Sequence, residues 1–206
     1  MKRTPIDTRD IMKLFAPKYI QGKTLDLGAG MAKYKKIFAE HLTEYVTCDA
    51  FEAEHIDVVA DAHNLPFSDA EFDTVICTMV LEHVEKPWIV AGQIERILKP
   101  GGHCIAAVPF LYPEHKDPED YFRYTEAGLR SLFPNCEKME CEGFGGWASV
   151  LDGMIYVSMY DHYREKHGFL RRNIYRVFRA ICVFLNRILP SPVSTYRSTY
   201  FVGQKK

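Results

Sequence analysis

The sequence lacks the marks of a secreted, metal-clustered or membrane-spanning protein. Its six cysteines are scattered without a Cys-x-x-Cys pair, so we predict neither a disulfide framework nor a bound metal. The first residues do not read as a signal peptide, and no apolar run is long enough to span a bilayer. These absences favour a protein of the reducing cytoplasm.

An excess of positive charge is missing as well. Lys and Arg number 26 against 27 Asp and Glu, for a formal net charge of -1, so no nucleic acid partner is expected. The charge is unevenly spread, because residues 164–187 carry seven basic side chains and one carboxylate. The 206 residues suffice for one domain and are too few for two ordinary ones, so we predict a single domain over 1–206.

Short apolar runs alternate with amphipathic segments, which is typical of repeated βα units and predicts a doubly wound, mostly parallel α/β sheet. Seven strands are predicted, at 24–27, 45–48, 56–60, 72–78, 103–108, 137–144 and 199–202. A first helix is predicted at 8–19, with Asp7 or Thr8 as its N-cap. A second follows the first strand and has Tyr34, Ile37, Phe38 and Leu42 on one face. Two more are predicted, one at 88–98 and one that begins after the N-cap Thr125. Residues 99–102, with two glycines, predict a helix stop and a tight turn.

The stretch 147–195, before the last strand, is too long for a hairpin loop and has mostly helical periodicity, so we interpret it as a helical insertion or lid. Within it, 169–189 is amphipathic. Its arginine face contains Arg172, Arg176 and Arg179, and its apolar side contains Ile174, Val177, Phe178, Ile181 and Leu185. One interpretation is a peripheral membrane contact on an anionic surface. The other, which we favour because tertiary burial is the usual fate of such a helix, has the apolar face cover the domain or a second copy in a homodimer.

Four chemical features fall at the carboxyl ends of successive predicted strands, where open parallel sheets hold ligands. The glycines of Leu25-Asp26-Leu27-Gly28-Ala29-Gly30 let the backbone turn sharply and approach a ligand closely. Asp49 offers a carboxylate for both ribose hydroxyls, and Asp61-Ala62 offers a carboxylate and an N–H for adenine. Met79 follows the fourth strand. Each feature alone also fits an ordinary turn, and their joint occurrence carries the argument.

Together these residues resemble the class I S-adenosylmethionine-dependent methyltransferases, notably the type 11 branch. The resemblance also rests on Leu65-Pro66-Phe67, Phe72-Asp73-Thr74-Val75, Glu82-His83-Val84 and 96–102. It implies a Rossmann-like seven-stranded sheet with an antiparallel final hairpin, and S-adenosylmethionine as cofactor. It further implies roles for seven residues: Asp26, Gly28 and Gly30 face the aminoacyl portion, Asp49 takes the ribose, Asp61 and Ala62 recognise adenine, and Met79 lines the methionine side.

A nicotinamide cofactor fits less well, because Lys33 stands where the dinucleotide fingerprint places its third small residue. The Lys-Ser/Thr pair of a P-loop is also missing from this turn. An oxidoreductase is therefore the more distant alternative. A non-catalytic, methyltransferase-like binding or activator subunit is the nearer one.

A long loop, 109–125, follows the fifth strand at the same edge and is dense in His, Tyr, Arg and carboxylates. We predict that His115 deprotonates a methyl acceptor and that Tyr121 and Arg123 bind it, with His83 as a second candidate base. The alternatives are that Arg123 pairs internally with Asp120 or Glu119, and that His83 bonds to local backbone. A similar loop in methyltransferase-like proteins of bacterial surface-glycan pathways implies a small-molecule or glycan-type acceptor, methylated at oxygen or nitrogen.

Overall fold

The computed structural model describes residues 7–115, 119–161, 169–189 and 194–206. One seven-stranded sheet runs through it, in the order β3-β2-β1-β4-β5-β7-β6. The strands are β1 Gly22–Leu27, β2 Leu42–Asp49, β3 Val58–Val59, β4 Phe72–Thr78, β5 Leu98–Pro109, β6 Cys136–Gly146 and β7 Tyr196–Lys205. The first five are parallel, and β7 is antiparallel to both of its neighbours, β5 and β6. The predicted fold class is confirmed.

The helices are α1 Thr8–Tyr19, α2 Lys35–Phe38, α3 Pro87–Ile97, α4 Glu126–Ser131, α5 Trp147–Asp161 and α6 Phe169–Ile188. Two predicted helix starts are confirmed by their caps. The Asp7 carboxylate accepts a hydrogen bond from the Asp10 N–H at 3.0 Å, and the Thr125 hydroxyl accepts one from the Gly128 N–H at 3.1 Å.

The sheet is buried on both faces by two apolar clusters. One holds Val75 and Cys77 with residues of α3 and α4, and the other holds Ile76 with residues of α1 and α2. Successive β4 side chains therefore enter opposite clusters, which is why Val75, Ile76 and Cys77 are all apolar, without alternation. It lies near the middle of the sheet, as its composition predicts.

Two local predictions are wrong. The helix after β1 is a single turn that ends at Phe38, and Leu42 opens β2, where it pairs with Gly22. The turn at 99–102 lies inside β5. Phe72 pairs with Leu98 and Thr74 with His103, so the four residues between them bulge opposite Asp73, with Gly101 at φ +78°.

Helices α5 and α6 lie between β6 and β7, within the predicted insertion. They are joined by a hydrogen bond from the Tyr175 hydroxyl to the Asp152 carboxylate at 3.0 Å, and Gly153 of α5 packs against the Tyr112 ring. A lid role, and the single-domain organisation over 1–206, stay predictions. None of the helices in the described ranges combines the length and the apolar character that crossing a bilayer requires.

Candidate active site

A cavity of about 700 Å³ opens at the carboxyl ends of β1, β2 and β4. This is where the chain order of the sheet reverses, since β1 lies between β2 and β4, and such switch points hold ligands in open α/β sheets. Eight of the eleven predicted site residues line it: Gly28, Gly30, Asp49, Asp61, Ala62, Met79, His83 and Tyr121. The volume is in the usual range for a small-molecule site.

The glycine turn after β1 forms one wall of this first cavity. Gly28 and Gly30 have φ angles of +69° and +51°, in the left-handed region that favours glycine. The N–H of Gly28 donates to the Cys48 carbonyl at 2.8 Å, so the turn is anchored to the end of β2. A Cβ on Gly28 would lie 2.1 Å from Cγ2 of Val80, another cavity residue, whereas one on Gly30 would meet nothing within 4 Å.

Ala32, two residues beyond Gly30, also adopts a left-handed conformation, with φ +46°. A side chain in that region costs about 1–2 kcal/mol. We therefore expect Ala32→Gly to raise the free energy of unfolding by up to about 1 kcal/mol, measured by urea denaturation. The matched control is Ala39→Gly, because Ala39 has φ -48° in the right-handed region. The Ala39→Gly change should lower the free energy of unfolding. A lower free energy of unfolding in both variants would contradict the strain at Ala32.

Asp49 lies between the glycine turn and the following loop. One carboxylate oxygen accepts the Gly30 N–H at 2.9 Å and the other accepts the Phe51 N–H at 3.1 Å. An ionised carboxylate has about four acceptor sites, so two remain for a ligand. The side chain is half-buried and lines the first cavity.

Asp61 and Ala62 occupy the opposite wall. Asp61 is exposed, and hydrogen bonds from the backbone and ring of His63 lower the pKa of its carboxyl group below the usual value, so it is ionised at neutral pH. Two further side chains, without a role predicted from the sequence, bind the backbone of the glycine turn and of β2. The His55 ring bonds to the Gly30 carbonyl, and Asp57 accepts the N–H of Thr47 at 2.9 Å.

Asp26 is placed differently from the other predicted cofactor residues. It is 1% exposed inside β1, it is absent from the wall of the first cavity, and it accepts a hydrogen bond from the Tyr45 hydroxyl. Burial raises the pKa of its carboxyl group to about 6. Asp26 therefore stabilises the strand that carries the glycine turn. Nothing in the sequence indicates Tyr45 as its partner.

Met79 lines both the first cavity and a second one of about 210 Å³. It has φ +56°, a strained conformation for a residue with a side chain, and its N–H donates to the Ala107 carbonyl at 2.7 Å. His115 lines the second cavity, together with Tyr112 and Arg197. The two cavities thus share a wall residue, Met79, directly after β4.

Arg123 is held within its own loop. Its guanidinium donates to both carboxylate oxygens of Asp120 and to three backbone carbonyls, which uses all five N–H groups. The Asp120 side chain is almost fully buried beneath it. This geometry favours the internal clamp over substrate binding. Tyr121, in contrast, is half-exposed on the wall of the first cavity.

His83 and His115 come together from two segments distant in sequence. Their ring centroids are 5.0 Å apart, and the rings are nearly perpendicular. His83 binds the Glu119 carbonyl through Nδ1, a backbone bond of the kind the alternative predicted, although its partner is in the distant loop. Burial lowers the pKa of the His115 ring below its usual value, so the ring is neutral at pH 7. Glu82, which the sequence analysis gave no role, is fully buried beside His83.

Comparison with known proteins agrees with this geometry. Residues 25–106 match the family described as a methyltransferase domain. A demethylmenaquinone methyltransferase of Paenarthrobacter aurescens is 30% identical over 141 residues, covering 64% of this chain and 52% of its own. A 27-O-demethylrifamycin SV methyltransferase of Amycolatopsis mediterranei is 35% identical over 95 residues, covering 44% and 35%. The chain thus spans about half or less of the length of these relatives.

Among solved structures, a methyltransferase from Archaeoglobus fulgidus has the same fold, with a TM-score of 0.60, 16% identity and coverage of 96% of this chain and 93% of its own. The sheet order and the cavity at its switch point define a Rossmann-like ligand-binding domain. In residues 25–106, and in its fold, the chain is similar to the class I S-adenosylmethionine-dependent methyltransferases. The cofactor of that family is S-adenosylmethionine.

Proposed function

We propose that the protein transfers a methyl group from S-adenosylmethionine to an oxygen or nitrogen of a small-molecule or glycan-type acceptor. The observation that carries this proposal is the pair of cavities that share Met79 in their walls. A methyltransferase needs its cofactor and its acceptor in contact at one point. Because the sulfonium is already activated, placing the acceptor atom in line with the methyl group supplies most of the catalysis.

The first cavity suits the cofactor. The carboxylate of Asp49 accepts the ribose hydroxyls, Asp61 and Ala62 bind adenine, and the glycine turn lies against the aminoacyl end. Support comes from the free acceptor sites on Asp49 and from the close approach that Gly28 and Gly30 permit. Met79, at the meeting point, borders the methyl-bearing sulfur.

The second cavity suits the acceptor. Its volume of about 210 Å³ fits one ring or a short polar chain rather than a macromolecule. His115 in its wall is a neutral imidazole that can accept a proton from a hydroxyl or an ammonium group. The relatives named for rifamycin and menaquinone precursors support a small-molecule acceptor. Tyr121 is available to contact either ligand, whereas Arg123 supports the loop.

Calorimetric titration with S-adenosylmethionine, S-adenosylhomocysteine and NAD tests the cofactor assignment. We expect binding of both sulfur nucleotides and none of NAD. A folded sample that binds neither sulfur nucleotide refutes the proposal. Radiolabelled methyl transfer into small-molecule and glycan extracts then separates the enzyme from a non-catalytic activator, which would bind the cofactor without labelling any acceptor.

The exposed face of α6 supports a further part of the proposal, that the protein docks peripherally on an anionic membrane surface. The helix buries one stripe around Cys182 but leaves a second apolar stripe in solvent. That stripe is Ile174, Val177, Ile181, Phe184 and Ile188, each 51–62% exposed. Arg176 and Arg179 are exposed on another face, and the Arg172 side chain lies outside the described residues. The sequence of α6 contains five arginines and no carboxylate, which suits anionic lipid better than a second copy of the same helix.

Flotation with vesicles measures this contact. The full chain should float with vesicles that contain anionic lipid and not with neutral ones, and Val177→Glu/Ile181→Glu should abolish flotation, because each substitution places a charge in the apolar stripe. Arg176→Glu/Arg179→Glu should weaken it. The control is Trp88→Glu, at an apolar side chain 58% exposed on α3. The stripe would instead be shown to bind a second copy if the wild type did not float but formed a dimer in light scattering, and Val177→Glu/Ile181→Glu lost that dimer.

A further inference from the structure

Glu82 follows β4 and has no exposed side-chain surface. Neither of its carboxylate oxygens has a hydrogen-bond partner in the part of the chain that the structure describes. A buried carboxylate without a partner is costly, and native proteins pair such a group, protonate it or bind a metal to it. The surroundings of Glu82 therefore decide its role.

Two imidazoles lie beside this carboxylate. His83 Nε2 is 3.8 Å from Glu82 Oε1, and the His115 ring packs against the His83 ring. One ligand atom from each of Glu82, His83 and His115 lies within 4.8 Å of the other two. Ligands on a tetrahedral zinc ion lie about 3.3 Å apart, so small side-chain movements suffice to close the cluster.

The outer hydrogen bonds of both histidines have the arrangement found around metal ligands. The Nδ1–H of His83 donates to the Glu119 carbonyl at 2.5 Å, and Nδ1 of His115 lies 3.4 Å from the Pro113 carbonyl and 3.1 Å from the Asp120 carboxylate. Because these neighbours can only accept, the contacts place the proton on Nδ1 of each ring and leave Nε2 with a free lone pair. Metal-bound histidines are oriented in this way by a carbonyl or a carboxylate.

We propose that Glu82, His83 and His115 bind a divalent first-row transition metal ion. Two imidazoles and one carboxylate match zinc and its neighbours rather than magnesium or calcium, which prefer oxygen ligands throughout. Three protein ligands leave a coordination position open. The absence of a metal was predicted from the scattered cysteines, and these three ligands come from two segments with no common spacing motif.

The cluster lies between the two cavities, since His83 lines the first and His115 lines the second. In the part of this inference that rests on the proposed function, a bound metal ion would hold an acceptor oxygen at its open position and lower the pKa of that hydroxyl group, so that its proton could pass to solvent. His115 would then serve as a ligand in place of the base role proposed above.

Metal binding is measured directly on the full chain, untagged and stripped with chelator, by titrating Co²⁺ with visible absorption and displacing it with Zn²⁺. We expect one equivalent to bind with a ligand-field spectrum. Glu82→Gln, His83→Ala and His115→Ala should each weaken binding at least tenfold. The control is His41→Ala, because His41 lies between α2 and β2, outside the cluster and both cavities.

Zn²⁺ should also raise the Tm of the wild type and of His41→Ala but not of Glu82→Gln, and circular dichroism verifies that each variant folds. Should Glu82→Gln fail to fold, His83→Asn takes its place with the same expectation. Wild-type protein that binds no Co²⁺, or cluster variants that bind Co²⁺ as tightly as the wild type, overturns the metal site. Calorimetry with S-adenosylmethionine is read separately, so metal binding without cofactor binding would refute only the proposed function.

Discussion

Asp49→Asn is expected to weaken the binding of S-adenosylmethionine about 100-fold while the protein stays folded. The carboxylate already accepts the N–H groups of Gly30 and Phe51, and the proposed function assigns its remaining acceptor sites to the ribose hydroxyls. The amide has a single acceptor oxygen and two donors, so at least one of these hydrogen bonds is lost. Losing hydrogen bonds to a charged group costs roughly 1.5–3 kcal/mol, and about 1.4 kcal/mol is a factor of ten in Kd.

Isothermal titration calorimetry of wild type and variant gives the two dissociation constants. The matched control is Asp69→Asn, which makes the same change of charge at a side chain that is 79% exposed and paired with Arg96. That variant should bind the cofactor as the wild type does. Equal affinity of Asp49→Asn and wild type would refute the ribose assignment, and an equal loss in both variants would trace the effect to net charge.

The sheet and most of the first cavity were predictable because each strand end carries its own local signal. β4 contains the apolar run Val75-Ile76-Cys77, Asp49 is the last residue of β2, and Asp61 comes two residues after β3. Parallel strands bring their carboxyl ends to one edge, so local signals in the sequence become neighbours in space. Knowing the strand ends was therefore almost sufficient to assemble this cavity.

The remaining features depend on contacts between distant segments, which local patterns do not encode. Glu82 and His115 meet only because the loop after β5 folds back onto the loop after β4, where the Tyr121 N–H donates to the Glu82 carbonyl at 2.7 Å. Helix α6 has apolar side chains on two stripes, and periodicity alone does not tell which of them its neighbours cover. The single turn of α2 reflects the early start of β2, a tertiary pairing that overrides helical periodicity.

Gly28→Ala is expected to lower the free energy of unfolding by roughly 2–5 kcal/mol and to weaken cofactor binding more than tenfold. Two separate effects add: a side chain at φ +69° costs about 1–2 kcal/mol, and overpacking costs about 1–3 kcal/mol. The new Cβ would lie 2.1 Å from Cγ2 of Val80, whose branched side chain has few rotamers in which to escape. Because Val80 lines the first cavity, its displacement deforms the cofactor site as well.

Three further variants separate the cost of the left-handed backbone from the cost of the steric collision. Gly30→Ala should lose only about 1–2 kcal/mol, since its φ is +51° but no atom lies within 4 Å of the new Cβ. Gly28→Ala/Val80→Ala removes the colliding methyl group. Compared with Val80→Ala, this double variant should therefore lose only the free energy due to the left-handed backbone at position 28, and not the free energy due to overpacking. Urea denaturation measures all four variants. Equal losses for Gly28→Ala and Gly30→Ala would show that Val80 moves aside freely, and that the glycine at 28 is needed only for its backbone conformation.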